Sequence, residues 1–168
     1  MENVISTDRL TLRPPVDADG PAVMEALNDF DVAKWLANAP YPFQKSDLCL
    51  SFPDGSTLWP HMAAIDCQGE MIGMVSMEPD LGFWLRRTAW GQGFATEAAG
   101  AMCKAAFGRG ADAIASGFFD GNAGSEGVLT KLGFQYLGER QQWCEPRQEH
   151  MRHHDMWLDR SDWDAASV

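Results

Sequence analysis

The chain has 168 residues, 45% of them hydrophobic, and a formal net charge of −11. That length and apolar content suit one domain, residues 1–168, with one sizeable core, and they exclude a disordered chain. The acidic excess speaks against nucleic acid as a partner of the general surface; it either draws cationic partners such as amines or serves solubility alone.

No stretch of about 18 apolar residues exists, so no membrane span is expected. The opening residues Met1-Glu2-Asn3-Val4-Ile5-Ser6 have neither a basic start nor an apolar core. They read as no signal peptide, which places the chain in the cytoplasm by default. Cys49, Cys67, Cys103 and Cys144 are scattered, and none forms Cys-x-x-Cys. They read as reduced thiols in or near the core rather than a zinc or disulfide framework. His153 and His154 would point to opposite faces of a strand, so the group His150, His153 and His154 reads as surface residues and no metal is expected.

In chain order, the alternation at 10–12 predicts a first strand. Asp17 to Pro21 marks a helix start, continued to residue 27, and 32–36 makes a second short helix. The segment 38–55 carries Pro40, Pro42 and Pro53, with a short helix from Ser46, and reads as a flap over a cleft. Strands at 58–65 and 71–77 are joined by a hairpin turn through Asp66 to Glu70. A strand at 81–85 precedes a long helix at 93–107, which Gly108-Arg109-Gly110 terminates. A strand at 113–119, a helix at 125–132 stopped by Gly133, and strands at 135–143 and 150–158 complete the chain. This alternation implies an α+β fold.

The segment Trp90-Gly91-Gln92-Gly93-Phe94-Ala95-Thr96-Glu97-Ala98-Ala99 carries the most information. A strand ends in small residues and turns at once into an Ala-rich helix. Such a turn offers main-chain N–H groups and the positive end of a helix dipole to an anion, and glycine lets the main chain approach closely. No Lys follows Gly93, which excludes a Walker loop, and Thr96 stands where a dinucleotide fingerprint needs a third glycine. Alone, the glycine pair reads equally well as a tight turn. Downstream lie Asn122-Ala123-Gly124-Ser125 and Val128-Leu129-Thr130-Lys131-Leu132-Gly133-Phe134.

Taken together, these segments resemble the GNAT superfamily of acetyl-CoA-dependent N-acetyltransferases. With the opening Thr7-Asp8-Arg9-Leu10-Thr11-Leu12-Arg13-Pro14, they look most like its RimJ/RimL-like branch of ribosomal-protein N-terminal acetyltransferases. The resemblance spans roughly residues 7–163. It implies a mixed, mostly antiparallel central sheet of six to seven strands flanked by about four helices. It also implies that the strands at 81–85 and 113–119 splay apart to hold acetyl-CoA. The implied reaction is direct attack of a primary amine, from a protein N-terminus or a small molecule, on the thioester. A non-catalytic acyl-CoA-binding or sensor domain is the alternative, and a homodimer is left open.

The resemblance assigns cofactor contact to Leu85, to the N–H groups of Gln92, Gly93, Phe94, Ala95 and Thr96, and to Asn122 and Ser125. Asn122 reads equally as a helix cap, and Ser125 is also a good capping residue type. Ser125 is the candidate for stabilising the thiolate. An acidic residue before the Gly-aromatic-Trp-Leu run is the expected base, which points to Asp80, with Glu78 beside it and His61 a weaker candidate; a solvated turn is the bland reading of both carboxylates. Leu129 stands where many family members carry a tyrosine acid, and Tyr136 is only a distant substitute. Trp90 and most of the other tryptophans read as core, although Trp35, Trp59, Trp84 and Trp143 are candidates for the acceptor cleft. Lys131 reads as a surface partner of its helix dipole.

Overall fold

The hydrophobic alternation of the first half builds an antiparallel sheet of five strands: β1 (Ile5–Ser6), β2 (Thr11–Arg13), β3 (Met62–Cys67), β4 (Glu70–Ser76) and β5 (Gly82–Leu85), in sequence order. The computed structural model describes residues 4–48 and 61–166. Gln68 and Gly69 both hold positive φ, and Asp66 Oδ1 accepts the Gly69 N–H at 2.7 Å, which closes the expected β3–β4 hairpin. The second half forms a three-stranded antiparallel sheet from β6 (Ala113–Phe119), β7 (Gln135–Cys144) and β8 (Glu149–Asp159), ordered β6-β8-β7.

The two sheets meet at one place. A parallel bridge joins Leu81 to Ser116, with Leu81 N–H donating to Ala115 O at 2.9 Å and Ser116 Oγ donating to Leu81 O at 2.7 Å. Past this point β5 pairs with β4 alone and β6 with β8 alone. The fold is therefore α+β with the splayed strand pair that the family resemblance implied, and the splay divides the sheet in two.

Helices cover both faces of the first sheet. Ala63 and Ile65 of β3 join the larger core with Met102 and Cys103, while Met62 and Ala64 face the other way, toward Val23, Leu27 and Val32. These residues belong to α1 (Gly20–Leu27), α2 (Phe30–Ala33) and α3 (Phe94–Gly108). Leu129 of α4 (Ala123–Lys131) is fully buried in the same larger core, alongside Phe134, Met156 and Leu158. The final helix α5 (Arg160–Ala166) sets Trp163 against Phe107, with ring centroids 5.6 Å apart. Among the described residues no helix is long and apolar enough to cross a membrane.

Several boundaries differ from the sequence reading. The helix expected at 32–36 starts at Phe30, because the Asp29 side chain accepts the Asp31 N–H and fixes its entry. α4 starts at Ala123 rather than Ser125, because Asn122 is its N-cap. β1 and α5 are additions that short or polar sequence did not announce. Of the flap expected at 38–55, residues 49–55 lie outside the described residues, as do 58–60 of the first hairpin strand and Trp59. The described part is anchored: Phe43 is buried, and its main chain exchanges two hydrogen bonds with the Asn28 side chain. The helix expected from Ser46 is a single 3₁₀ turn, Lys45–Asp47.

The described cysteines are free thiols, Cys103 and Cys144 buried and Cys67 half-buried; Cys49 lies outside the described residues. Burial pushes the Cys103 thiol up to about 12, so it stays protonated and unreactive. His153 and His154 do face opposite ways. His153 pairs with Asp155 and His154 with Asp120, both at 2.9 Å.

Candidate active site

A cleft of about 600 Å³ opens where β5 and β6 part. One wall is β5 and the turn after it; the opposite wall is α4, from its lead-in at Gly121 to Lys131. Val32, Trp35 and Leu36 close one end, and Gly93 to Thr96 line the other.

The glycine loop is built for a bare main chain. Gly91 and Gly93 both hold positive φ, +73° and +79°, which any residue with a Cβ adopts at a cost. Gly93 is the N-cap of α3 and provides no side chain to cap it. The first main-chain donor of α3 to find an acceptor is Glu97 N–H, on Gly93 O at 3.1 Å. Among the described residues the N–H groups of Gln92, Gly93, Phe94, Ala95 and Thr96 have none. A helix start with unfilled donors and positive dipole charge is a seat for an anion.

The loop is tied down from three sides. Trp90 Nε1 donates to Leu85 O at 2.8 Å, and Gln92 Nε2 to Thr88 O at 3.1 Å. From the start of the chain, Arg9 donates to Gln92 O at 2.8 Å and to Glu97 Oε2 at 2.7 Å, while its main-chain N–H and Thr7 Oγ1 both reach Glu97 Oε1. The Arg9 guanidinium also lies 4.6 Å from the centre of the Phe94 ring. Burial alone would raise the Glu97 carboxyl, but these donors together hold it below its ordinary range. The core role expected for Trp90 is corrected. It is 43% exposed on the cleft wall, because its indole N–H latches the loop to the end of β5 instead of entering the core.

Asn122 and Ser125 face each other at the opposite wall. Asn122 Oδ1 accepts the Ser125 N–H at 3.2 Å, and Asn122 Nδ2 donates to Ser125 Oγ at 3.0 Å. Because Ser125 Oγ accepts a hydrogen bond from Asn122, its own O–H is left to donate elsewhere, and both residues line the cleft. Leu85 is buried and also lines it.

Other expected site residues are placed elsewhere. Glu78 and Asp80 stand exposed in the turn between β4 and β5, near the closed end of the splay and outside the cleft lining. His61 Nδ1 meets Glu78 Oε1 at 2.5 Å. Trp35 and Trp84 line the cleft, but Trp143 lies exposed on β7. Tyr136 is 60% exposed and lines a separate hollow with Asp120 and His154. Two tethers missed in the sequence are Arg9 and Thr7. Their polar contacts to Glu97 cross 88 and 90 residues of chain, and no local signal announces them. Among the described residues no three His, Cys, Asp or Glu side chains gather as a metal site.

The sequence pattern of the family described as "Acetyltransferase (GNAT) domain" matches residues 9–135. The chain belongs to the GNAT acetyltransferase family. Similar solved structures carry the same fold at low identity. A GNAT-family acetyltransferase from Bacillus anthracis has a TM-score of 0.80 at 21% identity, covering 93% of this chain and 98% of that one. RimL, a ribosomal L7/L12 alpha-N-protein acetyltransferase in complex with coenzyme A, has a TM-score of 0.76 at 19% identity, covering 93% and 97%. The microcin C7 self-immunity acetyltransferase MccE, in complex with acetyl-CoA and AMP, has a TM-score of 0.79 at 18% identity, covering 95% and 97%. No curated protein matches the sequence. Within the GNAT fold, the glycine loop and the Asn122–Ser125 pair line the same cleft.

Proposed function

We propose that the chain is an acetyl-CoA-dependent N-acetyltransferase acting on a primary amine. One observation carries this reading: five consecutive main-chain N–H groups, Gln92 to Thr96, lack acceptors among the described residues at the edge of the cleft between β5 and β6. The cofactor's diphosphate needs such a seat, and a protein of net charge −11 has no general positive field to supply it. The cleft volume is also in the range of small-molecule sites.

Bound acetyl-CoA supplies a thioester carbonyl for an amine to attack. Everything else falls to the chain. The glycine loop fixes the nucleotide end, and Leu85 and Asn122 flank the path inward. Ser125 Oγ, oriented by Asn122 Nδ2, donates its proton toward the departing sulfur. Asp80 receives the amine proton through water from its place in the β4–β5 turn. Glu78, already engaged by His61, is the weaker acceptor of that proton. Trp35 and Trp84 shape the acceptor end of the cleft. Lys34 and Lys131 are the charged residues of the described lining, and that lining holds no carboxylate. This suits an acceptor whose reacting amine is its own main cation, such as a protein α-amine or an amino-acid-like small molecule. Among the similar structures, RimL is an alpha-N-protein acetyltransferase.

The absence of any carboxylate or tyrosine from the described lining favours a second reading, a domain that binds acyl-CoA without turning it over. Free-thiol release measured over a panel of amines and short peptides separates the two. Thiol release that depends on an amine supports the enzyme; acetyl-CoA binding with no release across the panel supports the binding domain. Gly93→Val should remove CoA binding, with the fold checked by circular dichroism. Unchanged CoA affinity in that variant overturns the loop assignment and both readings.

A further inference from the structure

We infer that the hollow on the far side of α4 from the cleft is a second ligand site, one that takes a small organic ammonium cation. It encloses about 500 Å³ between α4, the end of β6 and facing residues of β7 and β8. Glu126 and Thr130 stand four residues apart on α4 and line it, on the face turned away from Gly124, Val128 and Lys131 of the cleft. The helix therefore parts two hollows. Of the described residues, Gly121 alone lines both.

Phe118, Phe134 and Met156 are buried and give the hollow an apolar floor. Two further rings line it. The His154 ring centre lies 4.9 Å from that of Phe118 and 6.0 Å from that of the exposed Tyr136. With histidine neutral, the formal charges of the lining are both negative. They belong to Asp120 and Glu126, which are exposed, and the described lining has no Lys or Arg. Asp120 is tied to His154 Nε2 at 2.9 Å. The Glu126 carboxylate makes no hydrogen bond or ion pair with any described residue.

Aromatic faces attract a cation through their quadrupole, and the carboxylates add the opposite charge. An anion would meet like charge here. A neutral apolar ligand would use the floor and leave the carboxylates idle. An ammonium with a short apolar body suits both parts: its carbon groups lie on the rings, and its charge is met by Asp120 and Glu126. The chain's net charge of −11 draws such a cation toward the surface. The cleft is the converse, with two lysines and no carboxylate in its described lining. The hollow takes its ligand whether or not the cleft holds acetyl-CoA.

The test is NMR titration of the full isotope-labelled chain with choline and with neohexanol, its neutral carbon isostere. A quaternary ammonium carries no N–H, so choline is no amine acceptor for the cleft. Choline should bind saturably and shift the amides of Gly121, Phe134 and Tyr136. Neohexanol should bind at least about tenfold more weakly, having lost the charge contacts and the attraction to the rings. Glu126→Gln and Tyr136→Leu, both at exposed positions, should each weaken choline by about threefold to fivefold. Four results overturn the assignment: no saturable choline binding, neohexanol that binds as well as choline, shifts confined to cleft residues such as Trp35 and Trp84, or either variant with wild-type affinity.

Discussion

Arg9 neutralises a carboxylate that stands in the first turn of an anion-binding helix. Glu97 would repel a diphosphate at the neighbouring N–H groups, but Arg9 pairs with it at 2.7 Å and also holds Gln92 O. Arg9→Ala should therefore weaken CoA binding through an exposed negative charge as well as a looser loop. Adding Glu97→Gln to that variant should recover part of the affinity, which calorimetry of the single and double variants measures; equal losses in both would show that loop order alone matters. Ser125→Ala should reduce kcat by about 10²-fold with little change in cofactor affinity, the expected scale for one proton donor. Steady-state kinetics with CoA titration reads that split, and wild-type turnover would remove the proposed role.

At the scale of elements, α4 joins stability to chemistry through one residue. Asn122 caps the helix with its oxygen and positions Ser125 Oγ with its nitrogen. Asn122→Ala should destabilise the protein by about 1 kcal/mol, the usual worth of an N-cap, and reduce turnover as well. Asn122→Asp keeps the acceptor and loses the donor, so thermal unfolding should stay near wild type while turnover falls. The β4–β5 pair is as exacting. A Cβ on Gly73 would sit 2.2 Å from Trp84 O and 2.9 Å from Leu85 Cα. Gly73→Ala should force β5 away from β4, cost about 1–3 kcal/mol in chemical unfolding, and disturb the Leu85 wall of the cleft.

For the molecule as a whole, acid sensitivity follows from two carboxylates, the buried Asp19 tied locally and the half-buried Glu97 tied to the start of the chain. Burial by itself would raise the Asp19 carboxyl, but Arg13 at 2.8 Å and the Val16 N–H hold it below its ordinary value. Glu97 is held low in the same way. Both folded-state values lie below the unfolded carboxylate value of about 4, so their stabilisation is complete above that pH and is lost as pH falls through the folded values. Through these two carboxylates melting temperature should drop as pH falls below about 4, and Asp19→Asn should shrink the drop while lowering stability near neutrality by about 2 kcal/mol. Saturation with acetyl-CoA at about 100 times its Kd should add about 2.7 kcal/mol.

What the amino-acid order determined here is local. Alternating apolar residues set the strands, glycines at Gly91 and Gly93 set a turn that only they adopt freely, and Asn122 three residues before Ser125 set a cap. Each of these signals acts within a few residues, so the fold class and the glycine loop were legible without coordinates. Tertiary structure alone decided which polar groups meet. Arg9 reaches Glu97 across 88 residues, Trp90 turns outward to hold Leu85, and Leu129 enters the core while Lys131, two places on, faces the cleft. The physical reason is that a side chain's partner is fixed by how whole sheets and helices pack, and packing depends on contacts far apart in the chain.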